Sequence, residues 1–277
     1  MKVLVFAYRR WMSLDSLLRS LKEQGFKDVT IFIDGNRSEE DLNDVDKTEQ
    51  IANEYSEFEV LRRPFNWGMY YNIVDGLLSV EDKEFVVLEE DLIVSKLKDA
   101  MPFLPSLFHE KIFSISLMSY LKAKDSECLE YFELDRFFCW GWYSQNSRLK
   151  SLNFNRISLA LELSYPTSLQ QGDLSSMYYR ALSRKNNSWA AIVSVGSQKS
   201  TFKNLMFRGG FSKNIGFDGE NLNLGHKRIF RQHLLHIPPR QTKFTTLSIS
   251  DFWRIHWRFR KIFKAIIYFG KIFTRSS

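Results

Sequence analysis

Strand-like apolar segments alternate with helix-like segments through the first 91 residues, and this alternation constrains the fold more than any other feature. Strands are predicted at 2–8, 28–34, 58–64 and 84–91, and helices at 14–24, 40–55 and 68–79. Ser13 is predicted to cap the first helix, which ends at Gly25. Strands connected through helices pair in parallel, so we expect an α/β fold with a mixed, mostly parallel sheet flanked by helices.

The second half of the chain is less regular. It is predicted to contain a strand at 111–120, an aromatic, glycine-broken segment at 136–146 and a helix that starts at Asp173. A further strand is predicted at 188–195, and a glycine-rich loop at 208–219. No internal repeat separates these elements, and a chain of this length can form one large domain or a domain plus an extension.

Polar and charged residues follow each of the first four predicted strands. They are Tyr8, Arg9 and Arg10 after the first, Asp34 and Gly35 after the second, Arg62, Arg63, Asn66 and Gly68 around the third, and Glu89, Glu90 and Asp91 after the fourth. Ligands of open α/β sheets bind at the carboxyl ends of the strands. The sequence therefore predicts a binding site at this edge of the sheet.

Three adjacent acids end the fourth strand, and two explanations are open for them. The strand either surfaces into a solvated loop, or the acids meet a cation or a set of hydroxyl groups, since neighbouring carboxylates repel one another and burial raises the cost. Alternation along the strand predicts that Glu89 and Asp91 point to one side and Glu90 to the other.

Charge and composition narrow the classes of function. The chain has 277 residues, of which 44% are hydrophobic, and a net charge of +7. Residues 251–277 carry seven basic residues and one acid, so six of the net positive charges lie there and the body is nearly neutral. This distribution argues against a nucleic-acid surface on the body. The two cysteines, Cys128 and Cys139, indicate a reducing compartment.

Several common site motifs are missing from the sequence. It has no phosphate-binding P-loop, no glycine-rich dinucleotide fingerprint after the first strand, no serine nucleophile elbow and no zinc-binding His-Glu-x-x-His helix. His233 and His236 are interpreted as ordinary histidines because no third ligand lies near them. No apolar stretch is long enough for a transmembrane helix, and the N-terminus is not typical of a signal peptide.

Seven segments together resemble a nucleotide-sugar glycosyltransferase of the GT-A type, akin to the bacterial surface-polysaccharide enzymes related to N-acetylglucosaminyltransferase I. The segments are FAYRRWMSLDSLLRSL (6–21), IFIDGNR (31–37), RRPFNWGMYYNIVDGL (62–77), VVLEEDLIVS (86–95), FFCWGWYS (137–144), QGDLSSMYY (171–179) and SKNIGFDG (212–219). The family usually has Asn-Arg-Pro after the first strand and Glu-Asp-Asp after the fourth. This chain has Arg9-Arg10-Trp11 and Glu89-Glu90-Asp91 instead.

The resemblance implies a donor site at the predicted edge of the sheet. It assigns Asp91 to a divalent metal, Mn²⁺ or Mg²⁺, that bridges the diphosphate of the donor, and oxygen ligands suit such ions. It assigns Glu90 to the ribose and Glu89 to the donor sugar. The remaining donor-binding residues that it implies are Ala7, Tyr8, Arg10, Asp34, Asn66, Gly68 and Asn72. Helix capping and turn geometry explain Asn66, Gly68 and Asn72 equally well.

The resemblance also implies roles in the second half of the chain. Asp173 becomes the general base that deprotonates the acceptor hydroxyl, although an acid at that position is also typical of a helix start. Trp140, Gly141 and Trp142 are expected to form a wall for the acceptor, with one of the tryptophans packed in the interior instead. His226 is a candidate for the diphosphate or the metal.

The C-terminal segment 251–277 has apolar residues on one predicted helical face and basic residues on the other. A basic amphipathic helix of this kind is typical of a membrane-surface anchor, and packing on the body is the alternative. We therefore expect a GT-A domain at 1–250, with a nucleotide-sugar half at 1–110 and an acceptor half at 111–250, followed by a membrane-associating tail. The expected location is the cytoplasm, at the inner face of the cell membrane.

The sequence thus predicts a metal-dependent, inverting glycosyltransferase. It would move a sugar from a nucleotide-diphosphate donor, a UDP-sugar, to a hydroxyl group of a glycan or a lipid-linked oligosaccharide, and would bind no nucleic acid. A sugar nucleotidyltransferase shares the strand–helix alternation, but the segment after the first strand lacks the glycine-rich loop of that class. An inactive, membrane-bound scaffold is the third hypothesis.

Overall fold

The computed structural model describes residues 1–119, 131–134, 137–152 and 189–216. The strands are β1 Lys2–Ala7, β2 Val29–Ile33, β3 Glu59–Arg62, β4 Glu84–Glu89, β5 Leu92–Val94, β6 Ile112–Ser116, β7 Tyr131–Leu134, β8 Trp142–Gln145, β9 Lys203–Phe207 and β10 Ser212–Asn214. The helices are α1 Trp11–Glu23, α2 Glu39–Asn53, α3 Gly68–Leu78, α4 Leu97–Ala100, α5 Leu104–Leu107, α6 Asn146–Lys150 and α7 Trp189–Lys199.

Eight strands form one twisted sheet in the order β3-β2-β1-β4-β8-β6-β9-β7. The pairs from β3 to β4 are parallel, as is β6 with β9, whereas β8 runs antiparallel to both of its neighbours and β7 runs antiparallel to β9. Strands β5 and β10 form a separate antiparallel pair. The predicted α/β class, with a mixed, mostly parallel sheet flanked by helices, is confirmed.

Side chains of the central strands alternate between two hydrophobic cores. On β1, Val3 and Val5 pack in one core with the leucines of α1, while Leu4 and Phe6 pack in the other with α3 and α7. Because both faces of the sheet are covered at its centre, β1, β2 and β4 are apolar at nearly every position. This burial holds the carboxyl ends of β1, β2 and β4 side by side.

Two predicted elements differ from the structure. Helix α1 begins at Trp11, so Ser13 lies inside the helix and does not cap it. The segment predicted as a strand at 188–195 forms α7 instead. Trp189, Ile192 and Val193 recur at helical spacing and are all buried against the sheet, which favours a helix over the β propensity of isoleucine and valine.

The predicted glycine-rich loop contains a short strand. Gly209 and Gly210 have φ angles of 83° and 63°, a region that favours glycine, and the turn that they make returns the chain as β10 beside β5. Asp173, His226, His233, His236, Cys128 and the tail at 251–277 lie outside the described residues. None of the described helices is both long and apolar enough to cross a membrane.

Candidate functional site

Asp34, directly after β2, organises the loop that leads into α3. Its Oδ1 accepts hydrogen bonds from the backbone amides of Gly35 (3.0 Å) and Trp67 (2.8 Å). Its Oδ2 accepts from the backbone amide of Gly68 (2.9 Å) and from Asn66 Nδ2 (3.1 Å). Asp34 is only 4% exposed, so the four donors from the chain take the place of water around its carboxylate.

Burial raises the pKa of Asp34, and the amides of Trp67, Gly35 and Gly68 oppose that rise because they donate to the charged form. Asn66 and Gly68 therefore lie beside Asp34 at the predicted edge of the sheet. The side-chain amide of Asn66 and the backbone amide of Gly68 both donate to the Asp34 carboxylate. This arrangement corresponds to the turn geometry that the sequence left open as the alternative.

Asn72 lies one helical turn below this loop and is 3% exposed. Its Oδ1 accepts a hydrogen bond of 2.9 Å from Arg63 Nε. The same guanidinium lies over the ring of Trp67, at 4.3 Å from its centre, and pairs with Asp75 at 2.7 Å. The side chain thus orients Arg63, which the predicted site residues did not include, and the contact of Asn72 with the donor stays a prediction.

Glu90 faces inward and holds the turn between β1 and α1. Its Oε2 accepts hydrogen bonds from the backbone amides of Tyr8 (2.6 Å) and Arg10 (3.4 Å). Glu90 is 8% exposed, and burial raises its pKa, which the amide of Tyr8 and the charge of Arg10 partly offset. Glu90 thus fixes the position of Arg10 through the backbone, and its predicted contact with a ribose remains a prediction.

Asp91 forms an ion pair with Arg10. Asp91 Oδ2 lies 2.6 Å from Arg10 Nη1, and Arg10 Nε lies 3.6 Å from Glu90 Oε1. Strand β4 ends at Glu89, and the chain turns at the next two residues, so strand alternation does not extend to Asp91. The predicted separation of Glu90 from Asp91 is therefore wrong, because both carboxylates contact the same guanidinium.

Glu89 has a strongly perturbed carboxyl group. Burial and the neighbouring charge of Asp91 raise its pKa to about 8, against an ordinary value of 4.5, while Arg10 lowers it. Its Oε1 is buried and has no hydrogen-bond partner among the described residues. A buried carboxyl oxygen without a hydrogen-bond partner is typical of a functional site.

Strand β10 covers Asp91 from the second half of the chain. The backbone amide of Ile215 donates to the carbonyl oxygen of Asp91 at 2.8 Å. Gly216 packs so closely on the carboxylate that a Cβ at this position would collide with Asp91 Oδ2. The segment at 212–216 was part of the sequence resemblance. Nothing in the sequence, however, indicates that this segment contacts Asp91.

The residues present suit a divalent cation in part. No group of three histidines, cysteines or acids is arranged for a metal within the described ranges. Asp91 Oδ1 and Glu89 Oε1 are nevertheless buried oxygens that no donor of the described chain reaches. Mg²⁺ and Mn²⁺ take oxygen ligands, and Mg²⁺ typically binds through one or two carboxylates completed by substrate phosphates and water. Asp91 therefore fits such a cation if the donor supplies further ligands.

The three residues of the predicted acceptor wall have different positions. Trp142, on β8, is fully buried among Phe85, Phe113, Phe137 and Trp189, so it is the tryptophan that packs in the interior. Trp140 is half-buried at the edge of the core. Gly141 has a φ angle of 74° and lies close to Ser212 of β10. Trp140 and Gly141 remain candidates.

A second ion pair at this edge joins β1 to α2. Arg9 Nη1 lies 2.7 Å from Asp41 Oδ1, and the hydroxyl group of Tyr8 donates to Asp41 Oδ2 at 2.6 Å. The backbone amide of Arg37 donates in turn to the hydroxyl oxygen of Tyr8 at 3.2 Å. Sequence reasoning missed Asp41, because an acid in the first turn of a helix is usually solvated.

A shallow groove of about 500 Å³ begins beside the Asp34 loop and runs along the outer side of α3. It is lined by Phe65, Asn66, Trp67, Tyr71, Val74, Asp75 and Leu78. The acids that follow β4 do not line this groove, so the groove and the acid cluster are separate features.

One protein family model matches the part of the chain that contains this edge of the sheet. Residues 2–104 match the model described as "Glycosyl transferase family 2". This segment, well under half of the chain, contains β1 to β5 and every described acid discussed above. The match supports a glycosyltransferase domain. No curated protein sequence matches the chain significantly.

Solved structures with a related arrangement include both glycosyltransferases and nucleotidyltransferases. TarS from S. aureus (residues 1–349) is 14% identical with a TM-score of 0.45, and the match covers 85% of this chain and 71% of that one. A mannosyltransferase from Pyrobaculum calidifontis, in complex with GDP-Man and Mn²⁺, is 9% identical with a TM-score of 0.41, over 72% of this chain and 69% of that one. A cytidylyltransferase from Leptospira borgpetersenii is 17% identical with a TM-score of 0.36, over 54% of this chain and 61% of that one, which is less than two thirds of its length.

Proposed function

We propose that the protein is a metal-dependent glycosyltransferase that moves a sugar from a nucleotide-diphosphate donor, a UDP-sugar, to a hydroxyl group of a glycan or a lipid-linked oligosaccharide. The observation that carries the proposal is the acid cluster after β4, where Asp91 and Glu89 each have a buried oxygen without a hydrogen-bond partner among the described residues. The family match over residues 2–104 supports a glycosyltransferase rather than a nucleotidyltransferase.

The proposed reaction is a single displacement with inversion. The acceptor oxygen forms a bond to the anomeric carbon of the donor sugar, and the bond between that carbon and the phosphate oxygen breaks. The nucleoside diphosphate leaves with the electron pair of that bond. Asp173, proposed as general base by resemblance, takes the proton of the acceptor hydroxyl.

The residues at the edge of the sheet bind the donor in this proposal. A divalent cation on Asp91 would offset the charge of the leaving diphosphate. Arg10 has a partly exposed guanidinium at the same place and suits a phosphate oxygen. Glu89 is assigned to the donor sugar by the same resemblance, and its buried Oε1, which has no hydrogen-bond partner among the described residues, is free to contact a sugar hydroxyl group.

The remaining parts of the proposal concern the rest of the chain. Trp140 and Gly141 are proposed to contact the acceptor, and His226 the diphosphate or the metal. The two-part organisation, a catalytic domain at 1–250 and a tail at 251–277, is also proposed. The basic tail is proposed to bind anionic lipid at the inner face of the cell membrane, which would bring a cytoplasmic enzyme to a lipid-linked acceptor.

The experiment that tests the proposal is a panel of nucleotide sugars with and without Mn²⁺, with release of the nucleoside diphosphate as the measurement. We expect Mn²⁺-dependent release from one donor, and its loss in the Asp91→Asn variant. An inactive scaffold would show no metal-dependent binding of any donor. A sugar nucleotidyltransferase would release pyrophosphate from a nucleoside triphosphate and a sugar phosphate, so a parallel assay for pyrophosphate separates the two reactions.

A further inference from the structure

The acid cluster at the end of β4 consists of Glu89, Glu90 and Asp91. Among the described residues, Arg10 is the one positively charged side chain that pairs with it. Its Nη1 lies 2.6 Å from Asp91 Oδ2, its Nε lies 3.6 Å from Glu90 Oε1, and its charge also acts on Glu89. In the protein without a bound cation, one guanidinium therefore balances part of the charge of three carboxyl groups.

Arg10 and Gly216 leave little room for a second cation at Asp91 Oδ2. Gly216 packs against Asp91 Oδ2 so tightly that even a methyl group would collide there. The backbone amide of Ile215 also donates a hydrogen bond to the carbonyl oxygen of Asp91. A divalent cation on Asp91 must therefore either displace the guanidinium from Oδ2 or bind Oδ1 beside its positive charge, and Arg10 opposes the cation in both cases.

Arg10 is suited to leave Asp91. Its side chain is 39% exposed, so the guanidinium can turn toward solvent while Glu90 keeps its backbone in place through the hydrogen bond to the Arg10 amide. A guanidinium released from a carboxylate at this edge would meet the negative diphosphate of a donor, which it can bind through two parallel hydrogen bonds.

We propose that Arg10 is an exchangeable counter-ion of the donor site: it pairs with Asp91 in the metal-free protein and transfers to the donor's diphosphate when a divalent cation takes its place. This inference rests on the proposed function, because it assumes a diphosphate donor and a cation on Asp91. It adds that Arg10 opposes cation binding in the absence of the donor and favours binding of the complete donor. The protein would then bind the cation weakly alone and strongly together with the nucleotide.

Arg9 provides a matched control. It is adjacent in sequence, its side chain is 45% exposed, and it forms an ion pair of similar length, 2.7 Å, but with Asp41 and not with the acids after β4. Arg9→Gln and Arg10→Gln therefore remove the same charge from the same edge of the sheet, and only the second frees Asp91.

The test measures binding of Mn²⁺ alone and of UDP in excess Mn²⁺, by calorimetry on the full chain. We expect Arg10→Gln to bind Mn²⁺ about fivefold more tightly than the wild type, which corresponds to the loss of one partly exposed ion pair. We expect the same variant to bind UDP about tenfold more weakly, the effect of one charge-assisted contact. Arg9→Gln should match the wild type in Mn²⁺ affinity.

A second measurement uses the wild-type protein and so does not depend on the folding of a variant. Modification by phenylglyoxal, followed residue by residue with mass spectrometry, reports how accessible each guanidinium is. Addition of Mn²⁺ should increase the modification rate of Arg10, subsequent addition of UDP should suppress it, and the rate of Arg9 should stay constant through both steps.

Two results would overturn the inference while the proposed function stands: a wild type that binds UDP with Mn²⁺ but an Arg10→Gln variant with unchanged or weaker Mn²⁺ binding, or an Arg10 modification rate that Mn²⁺ leaves unchanged. A wild type that binds no nucleotide diphosphate in the presence of Mn²⁺ overturns both the inference and the function on which it rests.

Discussion

Asp34 and Asp91 lie at the same edge of the sheet, after strands β2 and β4, and their carboxylates are held in opposite ways. Each oxygen of Asp34 accepts two hydrogen bonds from the loop that it organises. Asp91 has one charged partner on Oδ2, and its Oδ1 is buried without a hydrogen bond from any described residue. Two acids in similar sequence positions thus differ in what they offer to a ligand.

The difference indicates that the two carboxylates have different roles at this edge of the sheet. A buried carboxylate with four donors stabilises the loop around it and has little capacity left for a ligand. A buried carboxylate oxygen with no donor costs free energy in the folded protein, and a bound cation would compensate that cost. We therefore expect changes at Asp34 to act on stability and changes at Asp91 to act on function.

The largest expected effect is that of Asp91→Asn on activity. The variant removes the charge proposed to hold the cation, and the rate of sugar transfer should fall on the order of 100-fold, the size of a lost electrostatic contact in an active site. Thermal unfolding should change little, because the amide retains the shape of the carboxylate. A transfer rate within twofold of the wild type would show that Asp91 has no role in the reaction.

Asp34→Asn should act in the opposite way. The new amide nitrogen replaces an oxygen that accepts hydrogen bonds from two donors, so those donors lose their acceptor. The expected loss is about 2 kcal/mol in the free energy of unfolding, the cost of buried donors left without a partner. Urea denaturation measures this loss, and equal stability of variant and wild type would contradict the structural role of Asp34.

Glu89→Gln tests the acid cluster through pH, in the presence of EDTA. The pKa of Glu89 is raised to about 8 in the folded protein, so folding favours the protonated form, and the stability that this carboxyl group provides at low pH is lost as pH rises from about 5 to about 8. The glutamine variant cannot lose a proton. Its melting temperature should exceed that of the wild type by about 2 to 4 °C at pH 8.5 and by less at pH 5.5.

A difference in melting temperature that is equal at the two pH values would show that Glu89 does not titrate as its surroundings imply. Addition of Mn²⁺ provides a further contrast. A cation near Glu89 favours its ionised form, so the advantage of the variant at pH 8.5 should shrink.

Gly216→Ala has the smallest expected effect. The added methyl group collides with Asp91 Oδ2 and must shift either the carboxylate or the end of β10. We expect Mn²⁺ to bind about threefold more weakly, corresponding to less than one kcal/mol of lost affinity. Calorimetry measures this change, and unaltered affinity would indicate that the cation does not bind near Oδ2.

Much of the fold was predictable from the sequence, because β1, β2 and β4 are nearly continuous apolar runs and helical segments separate the first four strands. The same reasoning failed at 188–195, where Trp189, Ile192 and Val193 belong to a helix that is buried by the sheet. Isoleucine and valine favour strands, but packing decided the outcome. Strand β4 itself was predictable, but the turn that ends it at Glu90 was not.

The candidate site was predictable to the level of residue types at the right edge of the sheet. Asp34, Asn66, Gly68, Glu89, Glu90, Asp91 and Arg10 do lie there as the alternation of strands and helices implied. Which of them has free hydrogen-bonding capacity depends on partners far along the chain, such as the Tyr8 amide for Glu90 and Gly216 for Asp91. These long-range contacts have no local pattern in the sequence.

The pairing of β10 with β5 has a consequence for how the protein is made. Strand β5 ends at Val94, but its partner begins at Ser212, so the ribosome must synthesise more than a hundred further residues before the two can meet. The sheet around β1, β2, β3 and β4 can form earlier, since its contacts are closer in sequence. The carboxylate of Asp91 therefore cannot be covered by Gly216 until the chain has been synthesised past that residue.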